Sequence, residues 1–255
     1  MGNSGKKTIE VGILLAPSIS FELEGNYGTY SGRFTATAES GQVRLHDKVG
    51  ERFVFEPQDD NASFVLKDVV IGIEFHWERK EDQRFRGSLV LIPENCMVRA
   101  VNVLSLEDYL VSVIASEMSA TSTLEYLKAH AVISRSWLLS QIEKRQGIEQ
   151  RQNVPYTSEV RTEEEWIKWW DREDHTLFDV CADDHCQRYQ GITMVSSEQV
   201  YKALQFTRGE VLTYNNKVCD ARFYKCCGGV TELFENVWEP VHHPYLVKVI
   251  DNPAA

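Results

Sequence analysis

Apolar and polar residues alternate through the first hundred positions of the chain. Ile9, Val11 and Ile13 keep the alternation, as do Phe21 and Leu23, then Phe34, Ala36 and Ala38, then Val43 and Leu45. Apolar runs follow at 53–55, 64–66, 69–75 and 89–92, separated by Gly, Asn and Asp. A period of two puts every second side chain on one face of a strand, and the turn formers between runs bound each strand. The pattern predicts a small antiparallel β domain over residues 1–96. It holds no cluster of reactive side chains, so its expected role is scaffold or wall.

Past Pro93 the period changes. Residues 98–103 predict one more strand. Leu106, Leu110, Val113 and Ile114 then fall on one face of a helix, and Glu117 continues that row. Ser105 with Asp108 three residues on is an N-cap signature, and Ser122 with Glu125 repeats it for a second helix running to about Lys144. In that helix Ala129, Ala131, Ser134 and Ser136 permit close packing. Residues 147–157 are polar and predict a loop. Residues 162–170 (TEEEWIKWW) predict a short helix with acids in its first turn. A helix over 196–206, strands over 211–214 and 218–223, and a turn at Gly228-Gly229 complete the chain. The predicted class is α+β: a β-rich domain at 1–96 and a mixed domain at 97–255 with two helices in its candidate catalytic region.

With 255 residues and 43% hydrophobic content, the chain can bury a sizeable core. Its net charge of −11 excludes a nucleic-acid backbone as a natural partner. The acids concentrate at 163–165, 171–174 and 183–184. No apolar run approaches the roughly 20 residues of a membrane span, and no basic-then-apolar leader is present. The opening Met1-Gly2-Asn3-Ser4-Gly5 is small and polar, of the kind left where a leader has been removed, so the missing leader does not imply a cytoplasmic home. Cys96, Cys181, Cys186, Cys219, Cys226 and Cys227 are even in number, but in a chain of this length that alone implies no disulfide framework. Adjacent Cys226 and Cys227 are poor partners for each other.

Glu117 is the first candidate for chemistry. A carboxylate on an apolar row is partly desolvated, which raises its pKa and suits it to act as a general acid near neutral pH. On periodicity alone the favoured reading is a helix end with Glu117 turned to water. In the segment HTLFDVCADDHC, His175, Cys181, His185 and Cys186 offer the soft ligands that zinc selects. A Cys181–Cys186 disulfide or free thiols are the alternatives. Trp166, Trp169 and Trp170 are spaced to bury one face of a helix, or to offer one ring for stacking on a sugar.

The phrase LEDYLVSVIASEMSATSTLEYLKAHAVISRSWLL, its lead-in VNVLSLEDYL, the YQG at 189–191 and the GGVTELFENVWEP at 228–240 occur in this order. Together they resemble the signature of the SpoIID/LytB family, which comprises sporulation peptidoglycan lytic transglycosylases and related amidase enhancers. The resemblance implies cleavage of the glycosidic bond between N-acetylmuramic acid and N-acetylglucosamine, with a 1,6-anhydro product and Glu117 as the single acid/base. It makes Lys128 and Arg135, two turns apart on the second helix, candidates for binding substrate or orienting Glu117, against an ordinary solvated basic face. It makes Gly228, Gly229, Thr231 and Glu232 candidates for lining the glycan groove, against an ordinary hairpin turn, with Tyr224 and Lys225 weaker. It also implies zinc held by His175, Cys181 and Cys186, with His185 an alternate ligand and water or a substrate group in the fourth position. His242 and His243 read as an exposed loop.

The implied partners are peptidoglycan glycan strands and other cell-wall hydrolases or amidases, and the implied location is the periplasm or cell envelope. The rival reading is a non-catalytic cell-wall binding protein that enhances an amidase, and the apolar row leading to Glu117 favours the enzyme. A zinc amidase fits less well, because the candidate ligands cluster in one loop. The chain departs from the family pattern at Ser119, where proline is usual, at His130, where glutamine is usual, and at Cys226-Cys227, which replace a serine-rich stretch.

Overall fold

The computed structural model describes residues 7–73, 75–118, 121–150, 159–168, 175–193, 197–224 and 226–251. Ten strands open the chain: β1 (Thr8–Ala16), β2 (Ser18–Tyr27), β3 (Tyr30–Glu39), β4 (Gln42–Leu45), β5 (Lys48–Gly50), β6 (Phe53–Phe55), β7 (Ser63–Ile71), β8 (Arg79–Phe85), β9 (Ser88–Glu94) and β10 (Met97–Ser105). Helices α1 (Leu106–Glu117) and α2 (Leu124–Gln150) follow, then a hairpin of β11 (Glu159–Arg161) and β12 (Trp166–Lys168). Short elements finish the chain: β13 (Val180–Cys181), α3 (Glu198–Phe206), β14 (Thr213–Tyr214), β15 (Lys217–Val218) and α4 (Phe234–Val237). The fold is α+β with antiparallel strands at its N-terminal end, as the alternation predicts.

Two sheets carry the N-terminal strands. One has six in the order β5-β4-β3-β2-β7-β8, and the other five in the order β13-β1-β10-β9-β6. The alternating residues face inward as expected: Ile9, Val11, Ile13, Phe21, Leu23, Ala36, Val43 and Leu45 are all buried. The runs at 64–66 and 69–75 belong largely to one strand. Asp68 takes a φ of 54° and makes a bulge, so pairing steps from Leu66 opposite Gln83 to Val69 opposite Glu81. Phe21, Phe55, Phe64, Phe85 and Leu91 share one core with Tyr109, Leu110, Val113, Leu127 and Leu138 of the first two helices. Residues 95 and 96 form the β9–β10 turn, and β10 pairs with β9 on one side and β1 on the other.

Helix α1 starts where its signature predicts. Ser105 accepts a hydrogen bond from the Asp108 N–H at 3.2 Å, and Leu106, Leu110, Val113 and Ile114 are buried. The second helix begins one residue later than its signature, with Thr123 Oγ1 rather than Ser122 accepting from the Tyr126 N–H at 3.4 Å. It also runs through 147 to Gln150, beyond the expected end at Lys144.

The helix predicted over 162–170 is not formed: Trp166–Lys168 is a strand paired with Glu159–Arg161. Thr162 Oγ1 accepts the N–H groups of Glu164 and Glu165, closing a tight turn in competition with helix. Trp166 is 60% exposed, with the Arg161 guanidinium 4.5 Å from its ring centre. The expected strand over 218–223 is limited to Lys217–Val218. Ser119, the acidic run 171–174, Trp169, Trp170, Lys225 and residues 151–157 of the expected loop lie outside the described residues.

The one parallel pairing in the five-stranded sheet matters most for the site. β13 lies against β1, with Val180 opposite Val11 and Cys181 opposite Gly12. The Asp179 N–H donates to the Glu10 carbonyl, and the Ala182 N–H donates to the Gly12 carbonyl. Gly12 is required here by space, since a Cβ would come within 2.5 Å of the Phe178 ring. Gly12→Ala is expected to destabilise the protein by about 1–3 kcal/mol. Urea unfolding of the variant measures this, and an unchanged midpoint contradicts it.

Candidate active site

Glu117 is the last residue of α1, and the row of buried residues behind it makes it half-buried. It lines a cleft of about 430 Å³ whose other walls include Trp77, Trp137, Arg188, Arg222 and Trp238. The Arg188 backbone N–H donates to Glu117 Oε1 at 2.7 Å. Burial raises the Glu117 pKa above the ordinary glutamate value. The Arg188 N–H and positive charge oppose this, and the nearby Asp184 carboxylate adds to it. The periodicity left Glu117 facing either oil or water. It stands at the boundary between them, with one oxygen tied and an altered proton affinity.

Arg188 reaches Glu117 because its whole segment is fixed. The Tyr189 N–H donates to the Ala182 carbonyl, and the Tyr189 hydroxyl donates to Asn102 Oδ1 at 2.6 Å. The Gln190 N–H donates to Ser112 Oγ at 3.1 Å. Gly191, at φ 59°, leaves no room for a side chain, as a Cβ would sit 2.2 Å from the Arg84 carbonyl. The YQG motif is therefore an anchor between β8, β10 and α1. Ahead of it, the Arg188 guanidinium pairs with Asp184 at 2.6 Å.

Beside the cleft, the ligand atoms of His175, Cys181, His185 and Cys186 all lie within 4.8 Å of one another. Cys186 Sγ is 3.5 Å from His175 Nε2 and 3.4 Å from His185 Nδ1, and both cysteines are free thiols. The two thiols are shifted in opposite directions. Cys181 is held low by its hydrogen bonds to Cys186 and the two imidazoles, whereas Cys186 is pushed up by Cys181 and by burial. Two thiols and two imidazoles converging in this way can surround one tetrahedral ion.

The basic residues of α2 do not line the cleft. Arg135 is 1% exposed and forks onto Glu107, Nε to Oε1 at 3.0 Å and Nη2 to Oε2 at 2.8 Å, while Nη1 donates to the Glu210 carbonyl at 3.2 Å. Lys128 pairs with Glu125 at 2.7 Å and lies 5.0 Å from the Phe206 ring centre. The double-glycine motif is likewise apart from the cleft. Gly228 and Gly229 take φ of 67° and 100° in an open turn. Thr231 Oγ1 donates to the Val247 carbonyl at 3.0 Å, and Glu232 Oε1 accepts from the Leu233 N–H and Asn236 Nδ2. Tyr224 does line the cleft. His130 is buried against Phe223, and burial pushes its pKa down to about 4.

Sequence reasoning missed Arg222, Trp77, Trp137 and Trp238. The Arg222 guanidinium sits 4.4 Å from the Trp238 ring centre and 5.7 Å from that of Trp137, and Asp220 holds it at 2.7 Å. Trp137 and Trp238 lie within the quoted motifs, where a closer look could have found them, whereas Trp77 and Arg222 lie outside every motif and share no spacing with them.

A family model described as "Stage II sporulation protein" (SpoIID) matches residues 94–214. The likeness to the SpoIID family lies in residues 94–214, a little under half of the chain. It is 32% identical over 196 residues to an uncharacterized protein of Brachyspira hyodysenteriae, a match covering 77% of this chain and 41% of that one. It is 29% identical over 153 residues to "Stage II sporulation protein D" of Bacillus subtilis, covering 59% of this chain and 40% of the relative. The protein of the same name from Bacillus amyloliquefaciens is 29% identical over 159 residues, covering 59% and 39%. The chain thus spans about two fifths of the length of the curated relatives it matches. The matched stretch holds Glu117, the His/Cys cluster and the YQG anchor, and it ends before the double glycine.

Arg135→Ala is expected to cost about 3–5 kcal/mol, because it strands the Glu107 carboxylate and the Glu210 carbonyl. Lys128→Ala is expected to change stability by less than about 0.5 kcal/mol, as its pair is solvent-facing. Guanidinium unfolding of the two variants checks the contrast, and equal losses contradict it.

Proposed function

We propose that the chain cleaves peptidoglycan glycan strands as a lytic transglycosylase, with Glu117 as its single acid/base. The observation that carries this is a half-buried carboxyl, its pKa raised by desolvation, opening onto an aromatic-lined cleft. The likeness of residues 94–214 to the SpoIID family supports a sporulation or cell-wall role. A cell-envelope location goes with that role. No helix among the described residues is long and apolar enough to cross a membrane.

In this reading the Arg188 N–H fixes Oε1, and Oε2 carries the proton. Glu117 gives that proton to the glycosidic oxygen as the bond from the muramic acid C1 to that oxygen breaks. The 6-hydroxyl of the same sugar then forms a bond to C1. The carboxylate takes the hydroxyl proton, which restores Glu117 and leaves a 1,6-anhydro end. One carboxyl suffices because the second nucleophile belongs to the substrate, unlike the paired carboxylates of ordinary glycosidases.

We further propose zinc at the His/Cys cluster. The four donors fit it, with His175, Cys181 and Cys186 joined by His185, so that no position is left for water. A closed site of this kind contributes folding energy, and the ion would brace the loop that leads into Arg188. The protein's own residues carry every proton step.

Glu117→Gln keeps an oxygen to accept the Arg188 N–H, so it is expected to fold normally and to lose strand cleavage. The assay is mass spectrometry of purified glycan strands, with and without stem peptides. Anhydro-ended fragments from the parent protein and none from the variant are expected. Hydrated reducing ends sink the transglycosylase reading, and no products at all favour the amidase-enhancer reading. Activity is expected to fall as pH rises through the elevated Glu117 pKa, because only the protonated form can donate. A rate rising through that range contradicts the acid role. Purified protein is expected to hold close to one equivalent of zinc, and Cys181→Ser to lose both the metal and thermal stability. Metal content below about a tenth of an equivalent contradicts a closed site.

A further inference from the structure

The tip of the β7–β8 hairpin presents unusual surface for a turn. Ile73, Phe75 and Trp77 are 50%, 47% and 41% exposed. Large apolar side chains grouped on a protruding tip are unfavourable in water unless something covers them. Phe75 and Trp77 stack face to face, with ring centres 4.4 Å apart and planes 6° apart. The stack is held in place from below. Gly72, at φ 68°, leaves the space in which the indole lies, since a Cβ there would sit 2.4 Å from Trp77 Nε1. The Phe75 N–H donates to the Gly72 carbonyl at 3.0 Å, and the Glu78 N–H donates to the Phe75 carbonyl at 2.9 Å. The Gly72 backbone lies near the Asp183 carboxylate and favours its charge, so the tip stands beside the His/Cys loop.

Trp77 is also a wall of the Glu117 cleft, together with the Asp184–Arg188 pair. An ordered indole therefore meets charged hydrogen-bonding groups at the mouth of a site with a raised-pKa carboxyl. A pyranose ring matches that combination, having an apolar face of axial C–H bonds and a rim of hydroxyl and amide groups. A lipid chain or an apolar helix would offer no partners to Glu117, Asp184, Arg188 and Arg222, the charged residues that share the lining. Residues 72–78 lie outside the stretch 94–214 matched to the family, so the feature belongs to this chain's β sheet rather than to the matched domain.

We propose that Trp77, backed by Phe75, is a stacking platform for a sugar ring of the glycan strand, one subsite from the bond acted on by Glu117. The proposal rests on the reading of the cleft as a glycan site. It gives the N-terminal sheet a direct part in binding substrate.

The test is calorimetric titration of a peptide-free tetrasaccharide of alternating N-acetylglucosamine and N-acetylmuramic acid into Glu117→Gln protein, which binds without turnover. Adding Trp77→Ala is expected to weaken binding by about tenfold or more, the scale of one aromatic contact. Trp77→Phe is expected to recover most of the affinity. Trp166→Ala, an exposed tryptophan away from the cleft, is expected to leave it unchanged. With Glu117 intact, Trp77→Ala is expected to raise KM and leave kcat nearly the same. Affinity within about twofold after Trp77→Ala, with the unfolding midpoint preserved, overturns the platform. An equal loss from Trp166→Ala does so too. If the tetrasaccharide fails to bind at all, the platform and the glycan reading fall together. Trp77-dependent binding without any cleavage sinks the catalytic reading and leaves the platform standing.

Discussion

The site depends on the seam between β1 and residues 178–191. Three kinds of contact close it: the parallel pairing of Cys181 with Gly12, the bond of Tyr189 to Asn102, and the bond of Gln190 to Ser112. Because these fall on β1, β10 and α1, the segment cannot shift relative to the helix end that carries Glu117. The 2.7 Å bond from the Arg188 N–H is a consequence of that fixing. The His/Cys cluster sits in the same segment, so anything that stiffens the cluster also stiffens the donor to Glu117. The constraint is non-local: it joins the first strand of the chain to residues some 170 positions later.

Arg135 illustrates how a similar sequence signal divides between function and packing. An arginine taken out of water needs a full set of acceptors, and its planar fork matches a carboxylate better than lysine does. Glu107 and the Glu210 carbonyl supply them, joining α1, α2 and the segment after α3. Its influence on Glu117 is indirect, through the placement of α1. Arg222, unlike Arg135, does line the cleft, lodged among aromatic rings with Asp220 beside it. The sequence drew attention to the first and gave no mark to the second, because helical spacing reports shared faces and not which face meets a cleft.

Local patterns carried much of the fold. Alternation located the strands, the Ser105 cap located α1, and the apolar row placed Glu117 at its exposed end. The His/Cys grouping was also legible, since its members lie within a dozen residues of one another. What depended on distant partners was not. The tryptophan run at 166 follows a turn set by one threonine hydroxyl, and its acid-rich start resembles a helix. The double glycine turns the chain as read, but Thr231 and Glu232 spend their polar atoms on nearby backbone and Asn236. Trp77 sits in a stretch that sequence marks only as the end of an apolar run. Its place in the cleft wall appears only when β7 and β8 pair and carry their tip to the cleft.

The state of Glu117 follows from opposed effects of unlike range. Burial by Val113, Ile114 and the cleft walls disfavours its charge and is insensitive to small movements. The Arg188 N–H favours the charge and is directional, so it weakens quickly if the 183–188 loop moves. A carboxyl buried without that donor would hold its proton too firmly to give it up readily. One left in water with the donor would already be ionised near neutrality. In the proposed reaction, keeping both lets one residue release a proton and take one back within a cycle. It also makes the 183–188 loop, which places the Arg188 N–H, the natural point at which the proton affinity of Glu117 is set.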